Sequence, residues 1–487
     1  MNPKKISVFI IVALGVLFGM TFLSTNNATE DGSATDGFAV FNTVVKYPTT
    51  DTFLMTEAVS KNKIVAIDSI VSNIEQVVEE VEEEEVEPVP QIPDFSKIDT
   101  ARIQRIVYPE DKTAFIQKLK GQLKSGSCRI IHYGDSQLEG DRISAYVRNR
   151  LQRLYGGGGP GFIPIKQVYH QVSAHVVSSD NWMRYAAFDP TKKKFSHKKY
   201  GVYTSVSRFT TPNEVPLDSL DLDTIPLTQA TITIGTSKKS YVRLRKFKKI
   251  GLHYGNVQTP TTIKVLNNGV LLKDDVLKTD GNYHNFQINV PDTPSNLVIT
   301  LESKISPDFY GLTLDSGSGI ALDNVAMRGA SGTIFAGLNS KNFQAMVSNL
   351  TPKIFILQYG GNTVPHLKDS TRVDRYALYI LGNINWIRRK APKASIVFIG
   401  PSDMTTTENG RLRTYSLLPY LDEKLRETCI TNNIAYWSIY NAMGGENSMQ
   451  HWVDQKLAST DYTHFSSKGT KVISELFFTA LYLDLTE

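Results

Sequence analysis

The chain of 487 residues has little cysteine: two residues, Cys128 and Cys429. Cys128 opens a run that reads as a core strand and Cys429 falls far along the chain in a helical stretch. Both are therefore expected as free, buried thiols rather than as a disulfide. No Cys/His group has zinc-ligand spacing, so the sequence carries no metal signal. Long apolar runs are missing after residue 24, which excludes a multi-span membrane protein. Finger spacings and basic helices with base-reading side chains are also missing, which argues against a nucleic-acid partner. Hydrophobic residues at 41%, charged residues at 21% and aromatic residues at 10% are ordinary for a soluble chain that can build a core. A length of this size predicts two or three folded units.

What is present begins at the N-terminus. Lys4 and Lys5 precede an uncharged run from Ile6 to Leu23, rich in Ile, Val, Leu and Phe. This reads as an export segment, 1–24. It is long for a cleaved signal and about the length of a bilayer span, and no small-x-small site is clear before Asn26, so an uncleaved membrane anchor is the expectation. The remainder would then be exported, periplasmic or otherwise extracytoplasmic, touching the membrane through this segment only. Residues 25–98 hold no lasting amphipathic period, and eight Glu without Lys or Arg lie between Glu75 and Glu87. Such a block repels itself and stays extended, so 25–98 is expected as a disordered acidic linker. Removing those eight charges from the formal +5 leaves +13 on the rest, a balance that suits an anionic polymer.

From residue 99 the pattern becomes strand–helix alternation. Residues 111–123 predict an amphipathic helix and 128–133 a short buried strand, followed by helical spacing over 139–154. Further strands are expected at 322–327, 354–359, 395–400 and 434–439. Helices are expected near 333–348, 372–389, 413–432 and 467–481. This alternation predicts an α/β domain with a parallel sheet covered on both faces, built from 99–164 and 316–487. Between them, 165–315 changes to short alternating runs, with strands expected at 230–234, 241–245, 261–266, 269–273, 286–290 and 297–301. Asn267-Asn268-Gly269 marks a hairpin turn. A second, β-rich unit, expected as a β-sandwich, is thus inserted into the first.

The chemistry-bearing residues fall at the predicted strand ends. Ser136 follows the strand 128–133 in Gly134-Asp135-Ser136, where a side chain projects from the carboxyl edge of the sheet and its own N–H can face a developing oxyanion. Gly134 is expected to supply an unusual φ for the turn. Asp461 and His464, three residues apart before the last helix, can form the pair that holds an imidazole in the tautomer needed to accept the serine proton. Gly360-Gly361-Asn362 puts an amide donor at another strand end, as an oxyanion hole requires. Gly329-Ala330-Ser331-Gly332 offers a glycine N–H beside it.

These four segments, in this order, resemble the SGNH or GDSL hydrolase superfamily over 126–165 and 316–485. The resemblance implies a flavodoxin-like three-layer α/β/α fold. It implies catalytic Ser136, Asp461 and His464, and an oxyanion hole of the Ser136 N–H, the Gly332 N–H and the Asn362 side chain, with Gly329 a neighbouring alternative to Gly332. Gln137 departs from the more frequent Leu, a change expected to be minor. A β-insert between the serine and glycine blocks, and a glycine run over 156–162, are similar to the peptidoglycan O-acetylesterases, whose insert is carbohydrate-binding-like.

The implied activity is a serine esterase that removes O-acetyl or other acyl groups from acetylated polysaccharide or peptidoglycan, without metal or organic cofactor. A polysaccharide O-acetyltransferase would use the same residues, and a glycan-binding envelope protein would need only the insert. Trp182, Tyr185, Tyr254 and Tyr283 are candidate sugar-stacking residues of that insert.

Overall fold

The computed structural model describes residues 3–21, the short strands at 27–28, 34–35, 38–40 and 43–45, and residues 90–96, 98–212 and 217–487. The acidic block between Glu75 and Glu87, and most of the expected linker 25–98, lie outside the described residues. Pro3–Thr21 is a helix. Among the described residues no helix is long and apolar enough to cross a membrane.

After a segment that packs Ile98, Ile103 and Ile106 into the core comes Lys112–Leu123 (α1), whose N-terminus is capped by Asp111 through its side chain and the Ala114 N–H. Ser127–Gly134 (β1) leads through the serine turn into Arg142–Tyr155 (α2). The chain then makes eleven strands: Gly161–Ile163 (β2), Ala174–Ser178 (β3), Met183–Ala186 (β4), Ser205–Arg208 (β5), Thr228–Thr236 (β6), Lys249–Gly255 (β7), Thr261–Asn267 (β8), Val270–Val276 (β9), His284–Asn289 (β10), Leu297–Ser303 (β11) and Asp308–Asp315 (β12). It returns as Gly319–Ala326 (β13), Ser340–Leu350 (α3), Pro352–Gln358 (β14), Ser370–Lys390 (α4), Ser395–Ile399 (β15), Leu418–Thr431 (α5), Ala435–Trp437 (β16) and Ser467–Thr486 (α6).

One five-stranded sheet has the order β13-β1-β14-β15-β16 and is parallel throughout. Alternate residues of β1 serve its two faces. Cys128 and Ile130 pack with α1, α2 and α6, while Ile131 and Tyr133 pack with α3, α4 and α5. Helices therefore cover both faces, as a parallel sheet requires. The strand order reverses next to β1, so the carboxyl ends of β13, β1 and β14 surround a switch point, where open α/β sheets place their ligands.

Inserted between β1 and β13 are two antiparallel sheets, ordered β9-β8-β11-β6-β3 and β10-β7-β12-β5-β4, with β2 also paired to β12. Ile232, Ile263 and Ile299 from the first share one apolar core with Ile250, Leu252 and Leu312 from the second. Asn268 and Gly269, both at positive φ, make the two-residue turn between β8 and β9. Both cysteines are free and buried; burial pushes the Cys128 thiol up to about 12 and Cys429 higher still.

Three expectations are corrected. Residues 241–245 are not a strand: the segment makes a tight 3-10 turn at Arg243–Arg245, fixed by Arg245 donating to the carbonyls of Ser240 and Lys238. Trp182 and Tyr254 are core residues, 1% and 3% exposed, and so are unable to stack on a sugar from the surface. Gly134 is absent from the residues with positive φ, so the turn does not depend on its φ; a Cβ there would lie 2.7 Å from Leu138 Cδ1. Glycine is required by that close approach.

Candidate active site

Ser136 begins a 3-10 turn at the end of β1. Asp135 caps it, its Oδ1 accepting from the Gln137 N–H at 3.0 Å. Ser136 Oγ lies 2.8 Å from His464 Nε2. On the opposite side of the ring, His464 Nδ1 is 2.8 Å from Asp461 Oδ2. A carboxylate at Nδ1 keeps the proton there, which leaves Nε2 free to accept the hydroxyl proton. Asp461 Oδ1 accepts from the backbone N–H of both Thr463 and His464, each at 3.0 Å, and the left-handed φ of Tyr462 turns the chain so that both donors reach it. Burial pushes the Asp461 carboxyl up, but the His464 N–H and ring and the Thr463 N–H outweigh it, and its pKa falls below the ordinary carboxylate value.

The neighbouring strand ends complete a cleft of about 350 Å3, lined by Ser136, His464, Gly329 and Asn362 among others. Among the described residues, the backbone N–H groups of Ser136 and Gly329 meet no hydrogen-bond acceptor. Asn362 Nδ2 donates to Asp135 Oδ2 at 3.1 Å and to the Ala330 carbonyl at 3.2 Å. The amide is thus oriented by the turn that carries the serine. An oxyanion forming here would share one of those two hydrogens.

Gly332 does not line the cleft. It is buried, and a Cβ at its positive φ would lie 2.6 Å from the Tyr359 ring, so this glycine serves packing behind the strand ends. Gly329, exposed and open at its Cβ position, is the glycine that faces Ser136 and Asn362. Motif matching favoured Gly332, whereas Gly329, three residues earlier, is the one that lines the cleft.

Gln137 was underrated from sequence. Its Nε2 donates to the Thr463 carbonyl at 2.8 Å and its Oε1 accepts from the Phe465 N–H at 3.4 Å. Those two backbone groups flank His464, so the residue after the nucleophile grips the loop of the base on both sides. Asp135 stands beside it, 6% exposed, and burial raises its carboxyl to about 6 against the opposing pull of the Gln137 N–H and His464. Among the described residues no group of three or more His, Cys, Asp or Glu could hold a metal ion.

No protein-family model matches this sequence, and no curated protein does. Among solved structures, a peptidoglycan O-acetylesterase superposes with a TM-score of 0.59 at 20% identity, over 78% of this chain and 99% of that one. A family two carbohydrate esterase from Clostridium thermocellum matches at 10% identity over 53% of this chain and 93% of that one, with a TM-score of 0.26, too low to mean a shared overall fold. The chain therefore shares its fold with that peptidoglycan O-acetylesterase.

Proposed function

We propose that the protein is a serine esterase that removes O-acetyl groups from an acetylated polysaccharide, with peptidoglycan as the substrate. The observation that carries this reading is the unbroken relay from Ser136 Oγ through His464 to Asp461, opening on a cleft with two unpaired N–H donors. Ser136 attacks the ester carbonyl while His464 Nε2 takes its proton, and the charge that appears on the carbonyl oxygen meets the Ser136 and Gly329 N–H groups and the Asn362 amide. His464 then protonates the departing sugar oxygen. Water, deprotonated by the same ring, releases acetate. The inserted unit, read as a carbohydrate-binding-like β-sandwich, would hold the polymer, and its common core across two antiparallel sheets supports that reading. Lys4 and Lys5 in the first turn of a helix that is uncharged from Ile6 onward support action outside the cytoplasm.

The test is acetate release from O-acetylated peptidoglycan and from an aryl acetate by the wild-type protein and by Ser136→Ala. A loss of about 10³-fold or more in the variant on both substrates is expected, since nucleophile and base act as a unit. Turnover near the wild-type rate in Ser136→Ala would remove the serine mechanism.

A further inference from the structure

A cavity of about 550 Å3 lies beside the catalytic cleft and is distinct from it. Strand β4 of the insert supplies one wall, and the end of β13 with Arg328 another. Arg328 lines both spaces. Its Nη1 donates to Glu139 Oε2 at 3.0 Å and to the Tyr169 hydroxyl at 2.6 Å, and its guanidinium lies 5.4 Å from the centre of the Tyr169 ring. A single side-chain cluster thus divides the cleft from the cavity, and a polymer lying across Arg328 reaches both.

Within the cavity, Arg184 on β4 is held by Ser205, whose Oγ accepts from Nε at 3.3 Å and from Nη2 at 3.2 Å. Among the described residues no carboxylate lies within ion-pair distance of Arg184, and its Nη1 has no acceptor. The half-buried guanidinium lies 5.8 Å from the centre of the Phe188 ring and has no counter-ion, so an incoming anion would gain from it. Burial pushes its pKa down to about 10, against the opposing influence of Asp189 and Glu139. Lys166 and Lys192 line the same cavity, and among the described residues neither is within ion-pair distance of a carboxylate, although Lys192 acts on Asp189 from farther away. The two carboxylates of the lining are already engaged, Glu139 by Arg328 and Asp189 by the N–H and hydroxyl of Thr191. The space is therefore positive, with Tyr169 and Tyr185 as aromatic walls.

We infer that this cavity is an accessory subsite for a carboxylate carried by the acylated glycan, paired with Arg184 while the sugar lies against Tyr169 and Tyr185. Arginine suits this task because its planar fork pairs with a carboxylate through two parallel hydrogen bonds. The inference rests on the esterase reading and narrows its substrate to an acidic glycan: Ser136 works on the ester in the cleft, and the anionic group farther along the same chain occupies the cavity.

Two measurements on soluble O-acetylated peptidoglycan fragments test it. One set of fragments keeps its stem-peptide carboxylates and a second has them amidated. In the first measurement, Arg184→Gln should raise KM for acetate release from the acidic fragment about tenfold, the loss of one charged hydrogen-bonded contact. Its kcat, its rate on an aryl acetate and its KM for the amidated fragment should stay near wild type. In the second, fragments are titrated into Ser136→Ala protein with and without Arg184→Gln. Acidic fragments should bind about tenfold more weakly to the double variant and amidated ones equally to both. Binding that depends on Arg184 in a protein whose wild type releases no acetate keeps the subsite and sinks the esterase reading. Equal binding of both fragments, or no effect of Arg184→Gln on the acidic one with the fold intact by thermal melting, overturns the subsite.

Discussion

Gln137 and Asp135 flank the nucleophile, and each ties it to a different partner. Gln137 reaches the loop of the base on both sides of His464, and Asp135 reaches the Asn362 amide. Sequence reasoning singled out Ser136, Asp461, His464 and Asn362, which the structure brings to one cleft, because each residue type has its own chemistry at a strand end or before a helix. It passed over Gln137 because a glutamine is neither acid, base nor nucleophile, and its partners are backbone groups more than 300 positions away. Gln137→Leu should lower kcat on an aryl acetate about tenfold with KM little changed, since small misplacements of a general base are costly. An unchanged kcat would make the two contacts incidental.

Asp135 adds a pH term. Its folded pKa of about 6 lies above the ordinary carboxylate value, so the folded state holds the proton more tightly than the unfolded chain does. The stabilisation is complete below about pH 4 and is lost as the pH rises through about 6. Asp135→Asn lacks this term. On acidification from pH 7 to pH 4, wild type should gain on the order of 2 kcal/mol over the variant in denaturant unfolding, whatever constant offset the altered hydrogen bonds introduce. A difference independent of pH would mean that Asp135 is not shifted upward.

Among the elements, those of the parallel sheet were legible because short apolar runs alternate with helical spacing. The insert was legible only in part. Residues of β6 and β11 alternate between buried and less buried positions, which is the pattern that a half-exposed strand writes into its sequence. By contrast all eight residues of β12 are buried, and so are all but the first of β7, so neither strand carries a period of two. Residues 241–245 made the opposite error, since their apolar and basic residues alternate inside a turn. The start of α2 shows what else a sequence conceals. Asp141, at a left-handed φ, and Arg148 pair with both side chains fully buried, at 2.8 and 3.0 Å, and Arg148 Nε donates to the Leu322 carbonyl on β13. The pair fixes the helix that follows the nucleophile turn against the sheet. Arg148→Ala should cost about 3–5 kcal/mol in unfolding free energy, because it strands a buried carboxylate. A cost below about 1 kcal/mol, the range of an exposed pair, would show that the site is hydrated.

For the whole molecule, the parallel strand order puts three strand ends around one switch point, and the sequence supplies a reacting or donating group at each. Arg129 on β1 binds Asp323 on β13 at 2.6 Å and also Asp315 at the end of β12, so the sheet that carries the nucleophile is braced by the last strand of the insert. The motif order placed the chemistry-bearing groups at successive strand ends, but gave neither the brace by Arg129 nor the loop of the insert that approaches the cleft, since those depend on contacts such as Tyr169 with Arg328. The central claim is that Ser136 is an activated nucleophile because His464 stands over it. Treatment with a phosphonate ester that reacts with activated serines, followed by peptide mass mapping, tests it most directly. A single adduct on the Ser136 peptide in the wild type, absent from His464→Ala, is the predicted result. Labelling of another residue, or equal labelling of Ser136 without His464, would contradict it.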